Sequence, residues 1–455
     1  MAMRDFEAFY AAGTVANRGE DPYGRAIWNG ERTIPGVDGS HDETLPFVGP
    51  SAGLPLWRAL AHLPYDVAGR VWGAILALAM LIVVFGVLIL ADAPRRPSLA
   101  LGAAAFCGGY GPLTSDVALG QVALVAAAGV IAALVALRSR AWPAASLAAA
   151  CATLQPSLVV VLAACATDLR AVTAFALGAA IFFAATLANG GAAGFVDYVH
   201  LLSVHGAAEA ATVIQITPAA ISRGFGASPA AVEAVRYGTA CVAIVLALLA
   251  MRRITDGALR VGIACCALPF ALPFVHEHDF VVMILPAVYC AVRAGGTTLA
   301  FASVSATASA VDWLGLGQHP NSALQAIALA TACALGFALL GRLQREALAG
   351  LVVPLMVAVA VTLAHAHPVP IWPDALPPHW QAPASASVSQ VWALEQQAAG
   401  LGAIEPVWSA LRALCLLSAA SLGFATYLTA RQMSTFIISS NGVCELGLKP
   451  IRSSL

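Results

Sequence analysis

The sequence predicts an all-α integral membrane protein built as a multi-helix bundle, and three observations carry that prediction. Of its 455 residues, 60% are hydrophobic and only 10% are charged, and the mean hydropathy of +0.82 lies far outside the range of soluble domains. Apolar runs of roughly 20 residues, the length a helix needs to cross a bilayer, recur along the chain. Those runs are rich in Ala, Leu and Val and lack the alternating pattern of barrel strands. Of the two folds that satisfy backbone groups in lipid, the helix is therefore indicated.

Taken in order, residues 1–66 form a polar first segment and residues 67–430 a transmembrane domain. Nothing ahead of the first apolar run has the charged start, apolar core and cleavage site of a signal peptide. The clearest spans are 67–90, 232–250, 259–275, 323–340 and 407–428. Shorter or interrupted ones fall at 99–118, 121–137, 171–188, 279–292, 298–314 and 348–364, about eleven crossings in all.

Arg95, Arg96, Arg138, Arg140, Arg252, Arg253, Arg293, Arg342 and Arg345 fall at ends that alternation puts on one side. Short loops rich in arginine stay cytoplasmic, so the long polar segments 1–66, 189–231 and 365–406 lie opposite. Alternation fails at 142–166. Counted as one crossing, that segment would turn 189–231 inward and Arg252 and Arg253 outward. A re-entrant hairpin broken at Gln155-Pro156 restores it, because proline removes an amide donor and disfavours helix at the preceding residue; the alternative is a missed span. The loop 365–406 carries Pro368, Pro370, Pro373, Pro377 and Pro378 with Trp372, Trp380 and Trp392. It reads either as disorder or as a loop at the membrane interface, where indoles settle. Residues 431–455 form an atypical tail.

The net charge of −1 offers no clustered basic surface, which excludes nucleic acid as a partner. The cysteines sit in or beside apolar runs, Cys444 excepted, with no CxxC motif, and read as small hydrophobes.

Polar side chains are costly near lipid and so mark function. Four clusters stand out. Arg4-Asp5-Phe6-Glu7 with Phe9 and Tyr10, followed by Gly19, Asp21, Pro22 and Tyr23, reads at its plainest as an amphipathic helix ending in a turn. Gly120-Gln121 opens a span, where a glutamine commonly caps or bonds a neighbouring helix. The segment from Gln215 to Phe225 carries Arg223, whose planar fork suits phosphate, although a lone loop arginine is commonly solvated. The fourth and most specific is His276-Glu277-His278-Asp279, four polar side chains interrupting two apolar runs. Its histidines are two apart, whereas a zinc helix spaces them four apart. A pocket that holds an anionic headgroup through imidazole and takes protons through carboxylate fits better.

In this order the clusters resemble glycosyltransferase family 87. Asp5, Phe6 and Phe9 or Tyr10, then Gly19, Asp21, Pro22 and Tyr23, are similar to the family's first motif. Leu45-Pro46-Phe47 and Leu63-Pro64-Tyr65 follow, then Gly120-Gln121, then Gln155-Pro156 at a Lys-Pro-like break, and His276 to Asp279 at the family's later histidine region. The resemblance covers roughly residues 5–340. It implies a GT-C-like multi-helix bundle whose donor is a polyprenyl-phosphate-linked sugar, mannose-like, and whose acceptor is a lipid or glycan. Cofactor and metal are not expected. The membrane implied is a bacterial inner membrane, crossed many times, with the active face extracytoplasmic. Carried over residue by residue, Asp5 becomes the catalytic base. His276, His278 and Arg223 become candidates for the donor phosphate, and Tyr23, Gln121 and Asp279 for sugar or acceptor.

The family pattern places a transmembrane helix ahead of the Asp-Phe motif, and this chain opens four residues before Asp5. The expectation is of a first family helix lost to a start placed too late. At the other end, Lys449 is the sole lysine among 23 Lys and Arg residues, in a tail whose style departs from the Ala-rich body; a shifted reading frame and a genuine tail are both open. A transporter or flippase for a lipid-linked substrate, or a truncated inactive family member, are the rival functions.

Overall fold

The structure, a computed structural model, describes residues 3–445 apart from 36, 38–40, 211, 314 and 319–321. Among the described residues it is helical throughout, without strands. The first segment holds α1 (Arg4–Asn17), α2 (Ala26–Glu31) and α3 (Leu54–Leu60). The bundle continues through α4 (Tyr65–Leu90), α5 (Pro97–Gly108), α6 (Gly111–Leu119), α7 (Ala123–Arg138), α8 (Trp142–Ala152), α9 (Pro156–Val159) and α10 (Leu169–Glu209). After α11 (Pro218–Gly224) come α12 (Pro229–Met251), α13 (Gly257–Ala271), α14 (Ile284–Arg293), α15 (Gly296–Ser309), α16 (Gly315–Gln318) and α17 (Ser322–Leu340). The last are α18 (Val352–Ala366), α19 (Val388–Ala398) and α20 (Pro406–Glu445). Residues 446–455, with Lys449, lie outside the described residues.

Six helices are long and apolar enough to cross a membrane: Tyr65–Leu90, Leu169–Glu209, Pro229–Met251, Ala323–Leu340, Arg345–Ala366 and Pro406–Ser434. The other expected crossings fall on shorter helices. The run 99–118 breaks between α5 and α6, and 259–275 stops at Ala271. Of the short helices, α14 is covered by the bundle, with Ile284 to Ala291 all buried, whereas the long α12 leaves Val242, Val245, Leu246 and Leu249 exposed. A helix apolar all round and covered by protein needs no bilayer-length span, while one facing lipid does.

The arginine-rich turns gather at one end. Asp92 accepts from both Arg138 and Arg293, and Arg293 Nε donates to Ala91 O at 2.6 Å. The segment 142–166 is broken as its Gln155-Pro156 predicts, into α8, α9 and a 3-10 turn over Val160–Cys165. Arg138, Arg140 and Trp142 at its entry and Cys165, Asp168 and Arg170 at its exit line one cavity, so the segment enters and leaves at a single end.

Two expectations for the polar segments are corrected. The stretch 189–231 is not simply a loop: α10 runs through to Glu209, broken at Gly191, whose φ of 63° and ψ of −171° belong to a region that only glycine enters freely. The Pro/Trp-rich stretch 365–406 is folded against the rest of the chain instead of disordered. A capping box at Ser387 and Gln390 starts α19, Trp372 packs edge-on to Trp392 at 4.9 Å, and Asp42 N donates to Trp380 O. Of the three indoles, that of Trp392 is buried and donates its Nε1 hydrogen to Glu209 Oε1 at 2.7 Å.

Candidate active site

The first helix brings the site its carboxylate. In α1 the acidic Asp5 and Glu7 occupy the first turn, where the helix dipole favours them, and Phe6 and Phe9 are buried. Phe9 stacks on Trp57 at 4.6 Å and Phe6 on Trp72 at 6.2 Å. The helix ends before Gly19, as the turn residues predict, and much of it is buried within the protein. This fixes Asp5 at the start of α7, where Gln121 Nε2 donates to Asp5 Oδ2 at 2.7 Å.

Gly120 explains the Gly-Gln pair. It takes φ 74°, and a Cβ there would stand 2.8 Å from Phe6 Cβ and 2.9 Å from Met3 Cβ. Glycine lets α1 close on the α6–α7 turn, and the turn then presents Gln121. Trp72 Nε1 donates to Gly120 O at 2.8 Å, and Asp116, buried beneath, accepts from Leu124 N at 3.1 Å.

The second half of the site comes from residues 276–279. The peptide N–H of His276 donates to Asp279 Oδ2 at 2.9 Å, and Gln155, at the break of the hairpin, donates to Asp279 Oδ1. The His276 and His278 rings stack, 5.2 Å between centroids and 7° apart in plane. Behind them sits Glu209, buried and accepting from Gln215 Nε2 at 2.6 Å, Trp392 Nε1 at 2.7 Å and Gln396 Nε2 at 2.7 Å. Gln215 Nε2 also stands 2.8 Å from His276 Nε2, an arrangement of the neutral ring; protonation turns Nε2–H toward Glu209 Oε2, 3.5 Å away. Arg412 pins the turn from behind, donating to Thr212 O and Gln215 O.

The electrostatics follow burial. Burial raises the Asp5 pKa against the pull of Gln121 and of His276. Burial disfavours the His276 cation, but the Glu209 carboxylate outweighs it and raises that pKa. Burial pushes His278 down to about 4, with Asp279 opposing. The site thus holds a carboxylate poised to take a proton beside one imidazole that readily charges and one that stays neutral. Ligand atoms of His276, His278 and Asp279 lie within 4.8 Å of one another, so the three could hold a divalent cation, although both Asp279 oxygens already accept hydrogen bonds.

Asp5, Gln121, His276, His278 and Asp279 are thus brought into one electrostatic neighbourhood. Tyr23 and Arg223 are not. The Tyr23 hydroxyl donates to Gly49 O at 3.0 Å and its ring packs on Phe47 and Tyr198, and Arg223 is exposed on α11. Sequence reading missed Glu209 and the role of Gln155. The signal for Gln155 was its place before a helix-breaking proline; Glu209 is a lone carboxylate in an uncharged stretch, six residues ahead of Gln215.

No curated protein and no solved structure matches the chain. The model of glycosyltransferase family 87 matches residues 47–276, an interval containing Gln121, Gln155, Glu209 and His276; Asp5 precedes it, and His278 and Asp279 follow. With half of its length matched, the chain belongs to glycosyltransferase family 87.

Proposed function

We propose that this membrane glycosyltransferase moves a mannose-like sugar from a polyprenyl-phosphate donor to a lipid or glycan acceptor, at the extracytoplasmic face of a bacterial inner membrane, with Asp5 as base. The observation that carries the reading is the Asp5–Gln121 hydrogen bond, which holds a carboxylate of raised pKa beside the His276–Asp279 turn. In an inverting transfer the acceptor oxygen bonds to the anomeric carbon as the carbon–oxygen bond to phosphate breaks. The electron pair leaves with the phosphate and the acceptor proton passes to Asp5 Oδ1 or Oδ2. Negative charge growing on the phosphate is met by His276, protonated against Glu209, and by an N–H of His278. Gln121 orients the base, and Asp279, held by Gln155 and the His276 amide, is free to accept from a sugar hydroxyl.

The reaction as proposed runs without a metal. The arginine-rich end supports the sidedness, since it gathers opposite α1 and the 276–279 turn. The test is transfer in proteoliposomes offered a panel of polyprenyl-phosphate sugars. Asp5→Asn is expected to keep donor binding and lose roughly 10²–10⁴-fold in rate, the range for a general base. An unchanged rate overturns the assignment of Asp5, and donor movement across the bilayer without transfer overturns the enzyme.

A further inference from the structure

The cavity at the arginine-rich end belongs to none of this chemistry. It measures about 610 Å³, within the roughly 300–1,000 Å³ of ligand clefts. Its walls are the end of α7, both mouths of the hairpin, and the starts of α10 and α13. Arg138, Arg140 and Arg170 line it. Arg138 donates to Asp92 and to the carbonyls that end α4, but among the described residues neither Arg140 nor Arg170 has a protein acceptor.

The acidic groups lining the cavity are committed elsewhere. Asp168 caps α10 by accepting from Ala171 N at 2.9 Å, and Asp256 caps α13 by accepting from Leu259 N at 3.0 Å while taking the Tyr289 hydroxyl at 2.6 Å. The turn that supplies Asp256 adds Arg252 and Arg253, both exposed, so cations outnumber anions. Arg140 itself is held at φ 59°, in the tight turn between α7 and α8.

The surroundings of the cavity are apolar. Trp142 at its rim is 47% exposed, Leu169 beside it 80%, and Val172 and Leu147 are exposed on the adjoining helices α10 and α8. An unpaired pair of exposed guanidinium groups lining a cavity between helix ends, with an indole at the rim and bare aliphatic side chains leading away, has the chemistry that suits a phosphodiester whose two acyl chains stay in lipid. A free phosphate would have no use for the apolar flank. We propose that this cavity seats the headgroup of an anionic glycerophospholipid, held by Arg140 and Arg170, at the end of the molecule opposite the transfer site.

The full-length protein in phosphatidylcholine nanodiscs would be titrated with phosphatidylglycerol, following quenching of tryptophan fluorescence by a brominated acyl chain and the melting temperature. Phosphatidylglycerol is expected to quench and to raise the melting temperature. The Arg140→Ala/Arg170→Ala variant should lose about twenty-five-fold in apparent affinity, taking each arginine as roughly a fivefold contribution, with Arg140→Lys/Arg170→Lys intermediate. Trp142→Phe should remove most of the quenching while keeping the melting shift. Helicity and transfer rate in pure phosphatidylcholine should stay at wild-type values in the arginine variants, which separates lost binding from lost fold. The proposal is overturned if the double variant binds phosphatidylglycerol as well as the parent does, if inorganic phosphate gives the same stabilisation, or if polyprenyl phosphate displaces phosphatidylglycerol from this end.

Discussion

Gly120→Ala is the sharpest probe of how the base is held. Alanine at φ 74° pays the left-handed penalty of roughly 1–2 kcal/mol. Its Cβ also meets Phe6 Cβ at 2.8 Å and Met3 Cβ at 2.9 Å, and forcing such a contact in a packed site adds about 1–3 kcal/mol. The Phe6 ring is itself stacked against Trp72, so relief comes by α1 backing away from the α6–α7 turn. The Asp5–Gln121 bond of 2.7 Å lies on that path. A displacement near 1 Å costs on the order of 10²-fold in rate when reacting groups must align. The assay is transfer in proteoliposomes with melting measured on the same preparation. We expect a large fall in kcat, donor affinity close to wild type, and a lower melting temperature. Adding Met3→Ala should restore only part of the loss, because the Phe6 contact remains. Wild-type transfer and melting in Gly120→Ala would refute the idea that this close approach sets the base.

Three other outcomes follow from the same geometry. Gln155→Ala leaves Asp279 with the His276 amide and should cost about 1.5–3 kcal/mol in transition-state stabilisation, the value of a hydrogen bond to a charged group, read as a ten- to hundredfold drop in kcat/KM. Chelation by EDTA should leave transfer unchanged; a loss restored by Mn²⁺ would put a cation among His276, His278 and Asp279. The third concerns pH. Burial raises Glu7 to about 7, Glu31 to about 8 and Glu395 to about 9, with Arg4 opposing at each. These carboxyls bind protons in the folded state that the unfolded chain has released, so their contribution is complete below about pH 4 and is lost as pH rises through 7 to 9. Melting temperature should fall over that window, and Glu31→Gln, whose amide can donate to Thr44 Oγ1, should flatten the fall.

Hydropathy made the helices legible, because lipid leaves an apolar run few alternatives, and Gln155-Pro156 made the hairpin legible, because a proline break is local chemistry. What Gln155 touches was not local: Asp279 lies 124 residues away. Asp5 and Gln121 were visible as polar residues at apolar edges, while their hydrogen bond depends on Gly120 admitting α1. Tyr23 looked like a site residue by its motif but spends its hydroxyl on Gly49 O. Arg223 offered the right charge, yet Arg412, hidden in an apolar helix, is the arginine that braces the site. Trp392 would look the same in the sequence facing a membrane or facing Glu209, and packing shows it against Glu209.

The hydrogen bonds that α19 makes to distant parts of the chain also bear on biogenesis. Thr44 N donates to Glu395 Oε1 across 351 residues, and Trp392 Nε1 reaches Glu209 across 183. Synthesis runs from the amino end, so Asp5, Thr44 and Glu209 are all made well before Trp392 and Glu395, their distant partners in these contacts. Nascent copies therefore carry Asp5 before α19 exists, and Glu209 gains its Trp392 donor only once α19 has been made.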